Sequence, residues 1–312
     1  MATESILIIT AAPAQAVNVR PALATRVRSA VADYWALTKP EINFLIAIAT
    51  IAGFYLGRLS GSLGFRFWLL IQTLLGTLLV ASGTGTLNQY IERRYDAQMR
   101  RTARRPLAAG RMEPSSALWF GITLSVAGVG YLAATTNILA SLLALATLAN
   151  YLFLYTPLKR ITPLSTLVGA IPGAMPPLIG SAAASGRLAS GAWVLYLILF
   201  LWQFPHFMAI AWMYREDYDR AGYLVLPRGQ SRDRLATLQT ILPLLLLVPA
   251  ALLPTVFCHS RLLYLLGACL LSVSFFYCGT QFVLHRSGAT ARRLLVASIL
   301  YLPLLLALMM VT

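Results

Sequence analysis

The sequence predicts an all-α integral membrane protein with nine transmembrane helices, built as two pseudo-repeated four-helix units plus a ninth helix around a central cavity. Three observations lead there. Apolar residues make up 58% of the chain and charged residues only 11%, where a soluble domain carries roughly 25% charged. A window of about 19 residues finds nine apolar spans, at 41–58, 67–91, 116–136, 138–155, 164–184, 192–213, 236–258, 262–283 and 294–311. Each is near the ~20 residues that cross ~30 Å of hydrocarbon. The basic residues, finally, alternate between connections: 21 of the 25 fall on one side, and only Arg58, Arg66, Arg187 and Arg261 fall opposite. The positive-inside rule then expects a cytoplasmic N-terminus and a periplasmic C-terminus. All ten Asp and Glu residues also fall on the cytoplasmic side, so polar chemistry is expected at that face. The net charge of +15 is that of basic loops facing anionic lipid. Nucleic-acid binding is disfavoured, because the arginines sit in short loops between spans.

Residues 1–35 read as a cytoplasmic tail and 36–312 as the intramembrane domain. The apolar run Ile6–Ile9 is too short for a signal-peptide core, and Glu4 precedes it where positive charge is needed. The Ala, Arg and Ser content also fits a mitochondrial presequence, but a tail on a bacterial inner-membrane protein is the preferred reading. The first span follows Leu37-Thr-Lys39-Pro40. The second ends in Asn88, Glu92 and Asp96, at spacing four, which on a helix form one oxygen-bearing stripe drifting about 40° per step. Arg100, Arg101, Arg104 and Arg105 come next. Oxygen ligands beside arginines at a membrane boundary point to Mg²⁺ and a polyanion such as diphosphate.

The fourth span leads into Tyr155-Thr-Pro-Leu-Lys159-Arg160, where two cations stand at a helix end, fit either to anchor topology or to neutralise a diphosphate. Pro172, Pro176 and Pro177 with Gly169, Gly173 and Gly180 predict a kinked or locally unwound fifth helix. The sixth span carries His206 and runs into Tyr214-Arg215-Glu216-Asp217-Tyr218-Asp219, a second acidic cluster about 120 residues after the first. Four spans separate the two clusters, and duplicated halves would bring them together. Cys258, Cys269 and Cys278 show no metal or redox spacing. No nucleotide-binding glycine motif is present.

These blocks carry a resemblance. Leu37-Thr-Lys39-Pro40, Asn88…Glu92…Asp96-x-x-Met99-x-Arg101-Thr102-x-x-Arg105-Pro106, Tyr155-Thr156…Lys159-Arg160-x-Thr162-Pro163, Pro176-Pro177-Leu-Ile-Gly180 and His206-Phe…Tyr214-Arg215…Asp217-Tyr218…Gly222…Pro227 resemble the protohaem IX farnesyltransferases (haem O synthases) of the UbiA-type intramembrane prenyltransferase superfamily. The match covers roughly residues 35–310. The chain departs from the pattern at Glu92, where an Asp is usual, and at Phe204 and Met208 around His206.

The resemblance implies transfer of a farnesyl group from farnesyl diphosphate to a vinyl group of haem B, with addition of water, giving haem O. Haem B is then a substrate, and Mg²⁺ the cofactor. It implies that Asn88, Glu92, Asp96 and Asp217 bind the Mg²⁺-diphosphate, and that Arg101, Arg105, Lys159 and Arg160 neutralise the leaving group. His206 is read either as a ligand of haem iron or as a buried histidine bonded to backbone. Tyr214 and Arg215 are expected among the substrate-binding residues, with loop arginines such as Arg215 as partners for the haem propionates. Membrane lipid, a haem A synthase and oxidase assembly factors are the expected partners. Competing readings are a prenyltransferase with an aromatic acceptor, a transporter, and a non-catalytic haem assembly factor. A transporter is expected to place ionisable residues near the midplane, whereas here they gather at one interface.

Overall fold

A computed structural model describes residues 23–59, 66–226, 230–256 and 260–311. Its helices are α1 (Leu23–Leu37), α2 (Pro40–Leu59), α3 (Phe67–Asp96), α4 (Pro114–Thr135), α5 (Ile138–Ala149), α6 (Thr156–Leu158), α7 (Ser165–Ala174), α8 (Pro176–Ser185), α9 (Ser190–Met213), α10 (Arg215–Arg220), α11 (Gln230–Leu252), α12 (Arg261–His285) and α13 (Gly288–Val311). A π-helical segment, Asn150–Tyr155, joins α5 to α6. Among the described residues, nine helical stretches are long and apolar enough to cross a membrane. Of the expected tail, residues 1–22 lie outside the described residues and 23–35 belong to α1. Pro227, Arg228, Cys258 and His259 also lie outside them.

Two apolar cores form, divided one span later than the expected pair of four-helix units followed by a ninth helix. Val80, Leu132, Ala144, Leu148 and Ile179 form one, from the second to fifth spans. Leu199, Leu247, Phe275, Leu294 and Leu305 form the other, from the sixth to ninth. The first span serves both, with Phe54 in one core and Ala49, Ala52 and Leu56 in the other.

Two elements depart from the predicted spans in ways that shape the site. Helix α3 continues to Asp96 instead of stopping at 91. Its 30 residues make a rod of about 45 Å, longer than the ~30 Å hydrocarbon core, so its polar last turns reach the interface. The fifth span is kinked rather than unwound. Its α7 ends at Ala174 and α8 restarts at Pro176, with Met175 between them still helical at φ −67°, ψ −29°. Proline at the first position of α8 gives up an N–H that has no intrahelical partner in any case.

Helix α8 is buried along most of its length because α2 approaches it backbone to backbone. A Cβ on Gly53 would stand 2.0 Å from the Pro177 carbonyl oxygen, and one on Gly180 would stand 2.2 Å from that of Thr50. Small residues allow such contact between membrane helices. Gly180→Ala is therefore expected to destabilise the fold by about 1–3 kcal/mol, read as a lower Tm in detergent. An unchanged Tm would show that the two helices are free to separate.

Candidate functional site

The polar stripe on α3 is buried: Asn88, Glu92 and Asp96 are 1%, 5% and 1% exposed. Each meets a cation from a different part of the chain. Lys39 Nζ donates to Asn88 Oδ1 at 2.8 Å. Lys159 Nζ donates to Glu92 Oε1 at 2.8 Å. Arg105 Nη1 donates to Asp96 Oδ2 at 2.7 Å. Three oxygen-bearing groups at spacing four thus face three cations brought by the α1–α2 junction, the end of α6 and the loop after α3.

Local backbone explains how the cations arrive. Lys39 adopts a φ of 53° directly before Pro40. A residue before proline is pushed away from the right-handed helical region, so this position breaks α1 from α2. Gln89 Nε2 holds the break by donating to the Leu37 carbonyl at 3.0 Å. On the other side, the π-helical segment adds width to the helix just before Lys159. Tyr151 and Tyr155 stand there with ring centroids 5.0 Å apart, and Lys159 Nζ lies 4.4 Å over the Tyr155 ring.

These groups surround a cavity of about 180 Å³ lined in part by Asn88, Glu92, Asp96, Arg101, Arg105 and Lys159. Four cations, with Lys39 among them, face two carboxylates in its wall, a balance that favours a polyanion. Three of its polar atoms are buried without a hydrogen-bond partner: Asp96 Oδ1, Ser165 Oγ and Tyr223 Oη. Buried polar atoms are rarely left so, and a ligand in the cavity would satisfy them. Burial, aided by the Arg105 charge, pulls the Lys39 ammonium down to about 7. Burial also works against the Lys159 ammonium, but the Glu92 carboxylate together with the Tyr155 and Tyr151 phenols outweighs it and holds that pKa well above the ordinary lysine range. Burial pushes the Tyr223 phenol up, and the nearby Glu92 adds to this.

The second acidic cluster meets the first. Asp217 Oδ2 accepts the Arg101 backbone N–H at 3.3 Å, and Arg220 Nη1 lies 3.4 Å from Asp217 Oδ1 and donates to the Gln98 carbonyl at 3.1 Å. Met99 packs with Ala221 and Tyr223. The Leu224 N–H donates to the Lys159 carbonyl at 2.7 Å. Asp217 nevertheless lies behind Arg101 rather than in the cavity wall.

Other expected site residues stand further out. Arg160 donates to the Tyr95 hydroxyl at 2.5 Å, Tyr214 carries the Arg101 guanidinium 5.2 Å over its ring, and Arg215 donates to the Trp212 carbonyl at 3.0 Å. His206 turns towards α13. Lys39, Tyr151, Tyr155, Ser165, Thr166, Tyr218 and Tyr223 line the cavity without having been singled out as site residues. Of these, Lys39, Tyr155 and Tyr218 stand in the motifs that carry the resemblance, and the others have no such signal.

Among the described residues, no three His, Cys, Asp or Glu side chains gather as a cation site. The arrangement still fits Mg²⁺, which commonly takes one or two carboxylates and completes its shell with water and substrate phosphates. Asp96 keeps one buried oxygen free for that purpose.

Among the described residues, a bundle of nine candidate spans holds a cation-rich, partly unsatisfied cavity at one end, a lining that suits a polyanionic head group. The chain belongs to the UbiA prenyltransferase family, whose model matches residues 34–306. It is 48% identical over 284 residues to the protoheme IX farnesyltransferase of Solibacter usitatus, covering 89% of this chain and 97% of the relative. Among solved structures, a digeranylgeranylglyceryl phosphate synthase shares the fold at a TM-score of 0.70 and 17% identity, over 90% of this chain and 97% of that one. A UbiA homologue from Archaeoglobus fulgidus, bound to DMAPP and Mg²⁺, does so at 0.62 and 15%, over 90% and 100%. The protein is a multi-pass membrane prenyltransferase.

Proposed function

We propose that the protein transfers the farnesyl group of farnesyl diphosphate to a vinyl group of haem B, with addition of water, giving haem O. The observation that carries the reaction class is the stripe of three oxygen-bearing groups on α3 with its three facing cations and its unpaired Asp96 Oδ1. The haem acceptor is supported by the names of relatives that this chain matches over nearly their whole length.

Lys159, Arg105, Arg101 and Lys39 bind the diphosphate and offset the charge that builds on it as the C–O bond breaks. Asn88, Glu92 and Asp96 would hold Mg²⁺, which supplies Lewis-acid charge to the leaving group, while Asp217, outside the cavity wall, holds the Arg101 backbone in place. The aromatic wall of Tyr151 and Tyr155 keeps water from the allylic cation. The vinyl carbon attacks that cation to form the new C–C bond. The cation left on the haem side chain takes its hydroxyl from water, with release of a proton.

Residues 36–312 form the intramembrane domain in this reading. The site faces the cytoplasm of a bacterial inner membrane, and the C-terminus lies in the periplasm, since 21 of 25 basic residues fall on the site's side. The test is incubation of purified protein with haem B, farnesyl diphosphate and Mg²⁺, then mass spectrometry of the extracted haem. A mass gain of farnesyl plus water is expected. Unmodified haem, with diphosphate released only when a phenolic acceptor is supplied, would move the protein to an aromatic substrate.

A further inference from the structure

Two neutral hydroxyls stand in the wall of the diphosphate cavity without a use inside the protein. Tyr223 is 4% exposed and Ser165 1% exposed, and both line the cavity. Among the described residues, neither Tyr223 Oη nor Ser165 Oγ has a hydrogen-bond partner. They come from separate elements, Tyr223 from the turn after α10 and Ser165 from the first position of α7.

Both are fixed before a ligand arrives. Gly222 adopts a φ of 71°, a left-handed turn that glycine takes without strain. The Tyr223 N–H then donates to the Tyr218 carbonyl at 2.9 Å, and the Leu224 N–H to the Lys159 carbonyl at 2.7 Å. The Tyr223 ring meets Tyr95 and Tyr218 edge-on, each with centroids 6.0 Å away, and packs with Met99. The neighbouring Glu92 carboxylate takes the Lys159 ammonium at Oε1, and no hydrogen bond joins it to the phenol. Ser165 is held by its backbone, whose N–H donates to the Thr162 carbonyl at 3.2 Å. The entropy of placing the two hydroxyls is therefore lost on folding rather than on binding.

The cations of the cavity stand differently. Lys39, Lys159 and Arg105 are already bonded to Asn88, Glu92 and Asp96, so an anion that takes them must share or break those pairs. The hydroxyls have nothing to give up. A buried donor left unbonded carries its whole desolvation cost, and an anionic oxygen returns that cost through a charge-assisted bond. Phenol and serine hydroxyl both donate at neutral pH. We propose that Tyr223 and Ser165 each donate a hydrogen bond to an oxygen of the bound diphosphate, as neutral binding residues beside the cations. This rests on the cavity being the diphosphate site. It also means that the two hydroxyls cost stability in the free protein and return it when diphosphate binds.

The test compares Tyr223→Phe and Ser165→Ala with wild type as full-length proteins in detergent. Each is read by its Tm without ligand and by calorimetric titration with inorganic diphosphate in the presence of Mg²⁺. Both variants are expected to bind diphosphate about 10–100-fold more weakly. Without ligand, Tyr223→Phe is expected to melt above wild type, and Ser165→Ala no lower than wild type, because a buried group without a partner has been removed. Wild-type affinity in either variant overturns the role of that hydroxyl. A lowered Tm of free Tyr223→Phe overturns the role of the phenol, since it would then have a partner inside the protein. A wild type that binds no diphosphate removes the diphosphate reading of the cavity as well, whereas binding that is equal in wild type and both variants removes only the hydroxyl roles.

Discussion

Lys159→Ala is expected to lower kcat/KM by at least about 10²–10³-fold, the usual loss when a preorganised group facing the leaving charge is removed. It is also expected to cost about 3–5 kcal/mol of stability, because Glu92 would remain buried without its partner. Both side chains are well enclosed, at 13% and 7% exposed. The two effects separate in the double variant Lys159→Met with Glu92→Gln, which removes the pair together. Its Tm should recover towards wild type while its turnover stays low. Recovery of both would mean that the pair only holds the helices together and does not act on substrate. Thermal unfolding and diphosphate release on the same preparations distinguish these outcomes.

Asp96→Asn is expected to reduce kcat by about 10²–10³-fold and to shift the Mg²⁺ dependence to higher concentration. The asparagine keeps the shape that receives Arg105 Nη1 but loses the charge on the oxygen that has no protein partner. Asp96→Ala should be worse, since it also frees the Arg105 guanidinium to pair with substrate phosphate unproductively. A Mg²⁺ titration that superimposes wild type and Asp96→Asn would remove Asp96 from the metal site and leave it as an anchor for Arg105.

Much of the fold is legible in the sequence because a membrane imposes a length and a composition on each span. The nine apolar stretches and the proline-marked kink at Met175 follow from that constraint alone. The end of α3 is only partly legible: the apolar span stops at 91, whereas the spacing of Asn88, Glu92 and Asp96 already implies a helix that runs on to Asp96, as it does. The spacing of Asn88, Glu92 and Asp96 reveals a shared face, but the identity of the facing cations depends on contacts 49 and 67 residues apart for Lys39 and Lys159.

The rest of the site was hidden for specific reasons. The π-helical widening at Asn150–Tyr155 has no proline or glycine to announce it, so Tyr151 looks like a packing residue and Tyr155 stands out only within its motif. The left-handed Lys39 has a side chain that gives no hint of its backbone. Asp217 was legible as part of a paired site, but its place behind Arg101 was not, because the Arg101 backbone N–H, rather than its side chain, makes the contact.

The most direct test of the central claim, that the α3 stripe and its cations form the diphosphate site of a haem-prenylating enzyme, counts both products at once. Wild type and Asp96→Asn are supplied with haem B, farnesyl diphosphate and Mg²⁺, and released diphosphate is measured beside the mass of extracted haem. The expected result is matched, Mg²⁺-dependent formation of diphosphate and farnesylated, hydrated haem by the wild type, with both products falling together in the variant. Diphosphate release without any change in haem mass, or equal rates in wild type and variant, would contradict it.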